Sequence, residues 1–225
     1  MPNRPHAVAF DVLETLLDLR PLRGRFEAIG QPGDLLHPWF LRLQRDAMAL
    51  ALSGTFRGFR AVARQALRTE SNHTADDHDI EHVLGGFAEL PAHPDAEPAL
   101  RRLAEAGVRV GCLTVGGAEA TTRFLERTGL DRHVERTVTA ERAQVWKPAP
   151  TLYRTAAEEF DVEPERLAVV AVHAWDCHGA QQAGCLTAWC SRLEGHHGDV
   201  FSTPDVTGND LVQVTGRLLD LPLSS

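Results

Sequence analysis

The chain of 225 residues is long enough for one substantial core with an appendage and too short for two average independent domains. Hydrophobic residues make up 43% and charged residues 24%, a globular balance that excludes disorder and fibrous repeats. A formal net charge of −8 without any basic run argues against nucleic acid, which is gripped through clustered Lys and Arg.

The first apolar run, residues 7–12, takes in Asp11, which stops it too soon for a signal-peptide core, and no stretch has bilayer length. A cytoplasmic protein without membrane contact is expected. Residues 17–90 offer several helices and no convincing strand, which predicts an inserted helical cap on a core built from residues 1–16 and 91–225. Within the cap, Leu36, Trp39, Phe40, Leu43, Ala47 and Leu50 recur on one helical face, with Arg42, Arg45 and Asp46 on or near the other. Leu90-Pro-Ala-His-Pro94 marks the return to the core, because proline interrupts helix. Apolar runs at 108–113, 167–172 and 186–190 then alternate with helical patterns at 98–106, 118–128, 150–160 and 177–183. Such alternation predicts an α/β fold, a doubly wound Rossmann-like parallel sheet with helices on both faces. Cys112, Cys177, Cys185 and Cys190 match neither a disulfide framework nor a zinc knuckle and read as reduced core thiols.

In open parallel sheets the ligand site lies beyond the carboxyl ends of the strands. Asp11 closes the first run, Thr114 follows the second and Asp176 lies just past the third. One acid in such a place is as often a helix cap as a reactive group; three polar strand ends together point to a site. Lys147 is the sole lysine among 23 basic residues. It offers a compact point charge where arginine would bring a planar fork. Tyr153 is the sole tyrosine, and Val145-Trp-Lys-Pro-Ala-Pro-Thr-Leu-Tyr153 joins it to Lys147 through a helix start set by proline. Gly116-Gly117, ahead of the helix at Ala118, either presents backbone N–H groups to an anionic substrate or forms only a tight turn. His78-Asp-Ile-Glu-His82 puts two imidazoles one helical turn apart but lacks a third ligand, so it reads as a solvated helix face and no metal is assigned.

In order, Ala9-Phe-Asp-Val-Leu-Glu-Thr-Leu16, Leu113-Thr114, Lys147-Pro-x-Pro-x-x-Tyr153 and Ala174-Trp-Asp-Cys-His-Gly-Ala180 resemble the four motifs of the haloacid dehalogenase superfamily over nearly the whole chain. Their spacing resembles the type II 2-haloacid dehalogenase branch. The resemblance implies that Asp11 is a nucleophile esterified by the substrate and freed by water. Lys147 would steady it: an ammonium about 4 Å from a carboxylate is worth roughly 4 kcal/mol at an effective dielectric of about 20. Thr15 would orient the first loop, Thr114 would hold Asp11 or the substrate, and Asp176 would anchor Lys147 or position the water. Leu13, Arg42, Val115, Gly116, Tyr153, His173 and Trp175 would meet the substrate.

Phosphatases of the superfamily carry acids at the positions of Leu13 and Val172, so metal-dependent phosphatase chemistry is disfavoured and no cofactor is required; magnesium would matter only to a phosphatase. The chain also departs from the dehalogenases, which have tyrosine at Leu13, glycine at Glu14, asparagine at Val115, and serine and asparagine at Ala171 and His173. The cap arginine of the family aligns with Phe40, leaving Arg42 or Arg45 as substitutes. His173 then supplies a hydrogen bond, acts as a base near neutral pH, or is satisfied structurally. The expected activity is hydrolysis of a carbon–halogen bond in a small haloacid or related activated substrate. The alternatives are an atypical phosphatase and a binding protein that keeps the fold without turnover. The partner would be a small anionic molecule; a homodimer is admitted.

Overall fold

The computed structural model describes residues 2–223. Six strands, β1 (Ala7–Phe10), β2 (Arg109–Thr114), β3 (Arg136–Thr139), β4 (Leu167–Ala171), β5 (Leu186–Cys190) and β6 (Val206–Gly208), form one parallel sheet in the order β3-β2-β1-β4-β5-β6. All residues of β1, β4 and β5 are buried. Helices cover both faces, which is why these strands read as unbroken apolar runs rather than alternating ones. Phe10 pairs with Cys112 on β2 and Val170 on β4, so this register delivers Asp11, Thr114 and Val172 to the same edge of the sheet.

β3 and β6 were not anticipated from the sequence. They are four and three residues long, and Arg136 and Thr207 are exposed, so at the sheet margins the apolar signal fades.

Helices α1 (Arg23–Ala28), α2 (Leu36–Leu52), α3 (Phe59–Glu70) and α4 (Asp77–Gly85) follow β1, with no strand between β1 and β2 among the described residues. In α2, Trp39, Phe40, Leu43 and Ala47 are buried, as the 3.6-residue spacing requires, and Trp39 Nε1 donates to the Ala63 carbonyl of α3 at 3.0 Å. One continuous apolar cluster runs from β1 through Leu16 and Leu22 to Trp39, Leu67 and Phe87, so these helices pack on the carboxyl edge of the sheet. The two connecting segments are tied together: Asp18 N–H donates to Pro91 O at 2.9 Å and His93 N–H to Leu16 O at 2.8 Å. At the start of α4, Asp76 and Asp79 form a reciprocal capping box, which gives the carboxylates beside His78 a structural task.

The remaining helices are α5 (Ala96–Glu105), α6 (Ala118–Thr128), α7 (Ala140–Ala143), α8 (Pro150–Glu159), α9 (Ala174–Gln182) and α10 (Leu211–Leu219). α6 ends at Gly129 with φ +70°, a left-handed cap. α9 begins three residues earlier than the pattern starting at Cys177 predicts, with His173, two residues past β4, as its extended N-cap residue. The four cysteines are buried and unpaired, as expected of core thiols. No helix among the described residues is long and apolar enough to cross a membrane.

Candidate active site

Asp11 is the first residue beyond β1, and its N–H donates to Val170 O at 2.9 Å. The chain then turns tightly: Leu16 and Leu17 N–H both donate to Val12 O, and Glu14 adopts φ +67°, which glycine would occupy at lower cost. The turn brings Thr15 back, so that its hydroxyl donates to Asp11 Oδ2 at 2.7 Å while accepting Val172 N–H at 3.2 Å.

Lys147 enters from the segment ahead of α8, with its side chain 1% exposed. Its Nζ donates to Asp11 Oδ1 at 2.9 Å and to Asp176 Oδ2 at 2.7 Å. Tyr153, one turn into α8, donates to the other oxygen of Asp176 at 2.5 Å. Gly179 makes room: a Cβ there would lie 2.6 Å from Pro148 Cβ and 2.9 Å from the Tyr153 oxygen. Burial pulls the Lys147 ammonium down, but the charges of Asp11 and Asp176 outweigh it and leave its pKa raised. Burial, with the negative charge of Asp11, raises Asp176 despite the opposing effect of Lys147. Burial and the Asp176 charge push Tyr153 well above its usual value, which keeps it a donor.

His173 completes the group. Its Nε2 lies 2.8 Å from Glu14 Oε2, while Nδ1 is buried, unpartnered and 3.8 Å from Asp11 Oδ2. The imidazole stacks against Trp175 with centroids 5.2 Å apart. Burial lowers its pKa, but the Glu14 hydrogen bond and the charges of Asp11, Glu14 and Asp176 prevail, leaving it raised above the ordinary histidine value.

A cavity of about 20 Å³, room for one water-sized group, lies against Asp11. Lys147, Val115, His173, Trp175 and Leu13 line it from the sheet side, and Phe40, Leu43 and Met48 of α2 close it. Gly116 lines a larger groove next to it.

Three expectations need correction. Arg42 is ion-paired with Glu70 and does not line the cavity, because its position on α2 points it toward α3; Arg45 is paired with Asp46. Tyr153 stands behind Asp176 rather than facing the cavity. The Thr114 hydroxyl accepts Gly116 N–H at 3.0 Å, bracing the turn after β2 rather than reaching Asp11.

Two supporting residues escaped the sequence reading. Arg192, after β5, donates to Thr15 O at 2.6 Å and pairs with Asp95 at 2.5 Å, clasping the turn that carries Asp11 and Glu14. Glu194 accepts Ala174 N–H at 2.9 Å at the start of α9 and Trp189 Nε1–H at 3.0 Å. The excess of polar residues between Cys190 and Val206 was the available signal.

Magnesium does not fit this arrangement. The ammonium of Lys147 bridges the two carboxylates a divalent ion would need, and Val172 has no oxygen in its side chain.

The family model for haloacid dehalogenase-like hydrolases matches residues 5–184. Haloacetate dehalogenase H-2 of Moraxella sp. (strain B) is 25% identical over 206 residues, spanning 89% of this chain and 92% of that protein. (S)-2-haloacid dehalogenase 4A of Burkholderia cepacia is 28% identical over 197 residues, 85% of each chain. Among solved structures, the L-2-haloacid dehalogenase RSc1362 superposes with a TM-score of 0.89 at 25% identity, covering 97% of this chain and 100% of that one. With the motif order, the parallel sheet and the Asp11–Lys147–Asp176 cluster in agreement with that match, the chain belongs to the haloacid dehalogenase-like hydrolases.

Proposed function

We propose that the protein hydrolyses a carbon–halogen bond in a small 2-halocarboxylic acid, with Asp11 as nucleophile and residues 17–90 as a cap over the reacting centre. The observation that carries this reading is the lone ammonium of Lys147 bridging Asp11 and Asp176 at the sheet edge, against a small cavity. One carboxylate oxygen of Asp11 forms a bond to the substrate α-carbon as halide departs with the carbon–halogen pair. No proton is needed for that departure, in keeping with Leu13 where a phosphatase would have an acid. Water then attacks the carboxyl carbon of the ester, the hydroxy acid leaves, and Asp11 is restored with one oxygen drawn from water.

Asp176 is a poor base for that water, since Lys147 and Tyr153 engage both of its oxygens. His173 has a free buried Nδ1 next to Asp11, and Glu14 holds Nε2 in the tautomer that leaves Nδ1 as acceptor. The water proton therefore passes to His173, and Glu14 stabilises the imidazolium that results.

A single-turnover reaction with 2-chloropropanoate in heavy-oxygen water, followed by peptide mass spectrometry, tests the route. Label in the Asp11 peptide is the expected result, with halide release lost in Asp11→Asn. Magnesium-dependent phosphate release from phosphate esters, without halide release, would overturn the proposal.

A further inference from the structure

Leu13 stands between two spaces of very different size. On one side is the cavity at Asp11, about 20 Å³; on the other is a groove of about 400 Å³ running between α6 and the helical segment. The first admits little beyond a reacting centre, whereas the second falls in the range of about 300–1,000 Å³ typical of ligand sites. Val12, Leu13 and Leu17 of the nucleophile turn form one wall of the groove, and Phe59, Leu84 and Phe87 supply apolar surface opposite. Its charged members, Arg60, Glu119 and Glu141, are all exposed and so stand at its mouth.

A second cleft, about 320 Å³, adjoins the same cavity past Phe40. Leu19, Leu36 and Leu193 contribute apolar surface to it, but buried Asp18 and half-buried Glu14, His93 and Arg192 line it as well, inner polar groups that a hydrocarbon chain would desolvate without return, whereas the charges of the Leu13 groove are all exposed. An apolar substituent on the α-carbon therefore partitions to the Leu13 side. The backbone at Leu13 is held by its bridge to Leu17, and Leu17 in turn by its bridge to Ala92, so passage between the two spaces is set by the Leu13 side chain rather than by movement of the turn.

We propose that the groove beyond Leu13 is a substituent pocket, and that the preferred substrates are 2-halocarboxylic acids bearing an aliphatic chain well beyond the methyl of 2-halopropanoate. This rests on the reading of Asp11 as nucleophile and leaves the bond-making steps as they are. The chain lies along Val12, Leu13 and Leu17 under Phe59 and Leu84 while the α-carbon meets Asp11.

The test compares kcat/KM for halide release from 2-bromopropanoate and 2-bromooctanoate. Each buried methylene is worth roughly a factor of four, less the cost of ordering the chain, so a preference of at least about tenfold for the octanoate is expected. Leu84→Trp, and Ala120→Trp from the opposite wall in case the first variant fails to fold, fill the groove and bring that preference down to about twofold or less, by lowering octanoate turnover far more than propanoate turnover. No preference in the unaltered protein, a preference intact in a folded groove variant, or equal losses on both acids would overturn the pocket. Label at Asp11 is read in the same reactions. Label without any preference sinks the pocket alone, whereas halide release without label sinks the nucleophile reading.

Discussion

The two walls of the cavity at Asp11 are built from opposite materials. On the sheet side the carboxylates and the ammonium are held in a buried network in which Asp11, Thr15, Lys147, Asp176 and Tyr153 each have a partner. On the α2 side the lining is Phe40, Leu43, Ala47 and Met48, with Gln44 the one polar member, while Arg42 and Arg45 are bound elsewhere. The difference teaches that fixed charge gathers at the sheet edge while the helical segment contributes apolar surface, a division that in the proposed reaction would leave the chemistry to the first and the exclusion of water to the second.

The largest expected effect is on the sheet side. Lys147→Ala strands two buried carboxylates, which should cost about 3–5 kcal/mol of stability and about 10²–10³-fold in halide release, read by denaturant unfolding and a halide assay. Lys147→Arg should be nearly as damaging to turnover, because a planar fork cannot replace a compact ammonium between two acids. Near-normal turnover in that variant would break the comparison.

A smaller, more diagnostic effect is expected at the Glu14–His173 pair. Only neutral His173 accepts a proton, so ester breakdown should rise with pH through the raised pKa of His173. Removing the Glu14 charge lowers that pKa, so in Glu14→Gln the rising limb should move to lower pH while the plateau falls by roughly 10²-fold, as for loss of general-base assistance. Single-turnover hydrolysis of the ester across pH measures both. An unmoved limb would take the pair out of the reaction.

The smallest effect is expected on the α2 side. Arg42→Ala should change halide release by less than about twofold and stability by about 0–1 kcal/mol, since it removes only a partly exposed ion pair with Glu70. A large rise in KM for haloacids would show that the arginine turns inward to meet the substrate carboxylate.

Much of this site was legible in sequence because the chemistry sits where strands end. β1, β2 and β4 announce themselves as apolar runs, and parallel register carries their terminal residues to one edge. The solitary lysine among arginines marked Lys147 before any contact was known. Partnerships across long loops were not legible: Glu14 and His173 are 159 positions apart, and Arg192 reaches Thr15 across 177. A hint was nonetheless present, since Glu14 and His173 depart together from the glycine and asparagine usual in the dehalogenases. The misplacement of Arg42 has a different cause. Helical periodicity tells which residues share a face, but not which neighbouring helix a long flexible side chain will meet.

Arg192 gives the last segment of the chain an unexpected duty. It lies beyond the stretch matched by the family model, yet it fastens the hairpin-like loop bearing Asp11 to Asp95, which also accepts the N–H of Leu211 at the head of α10. Arg192→Ala would keep all five groups of the buried network and lose only the clamp that aims them, with the core contacts of β6 and α10 left in place. Activity lost in such a folded variant would report slackened aim rather than a missing reactive group.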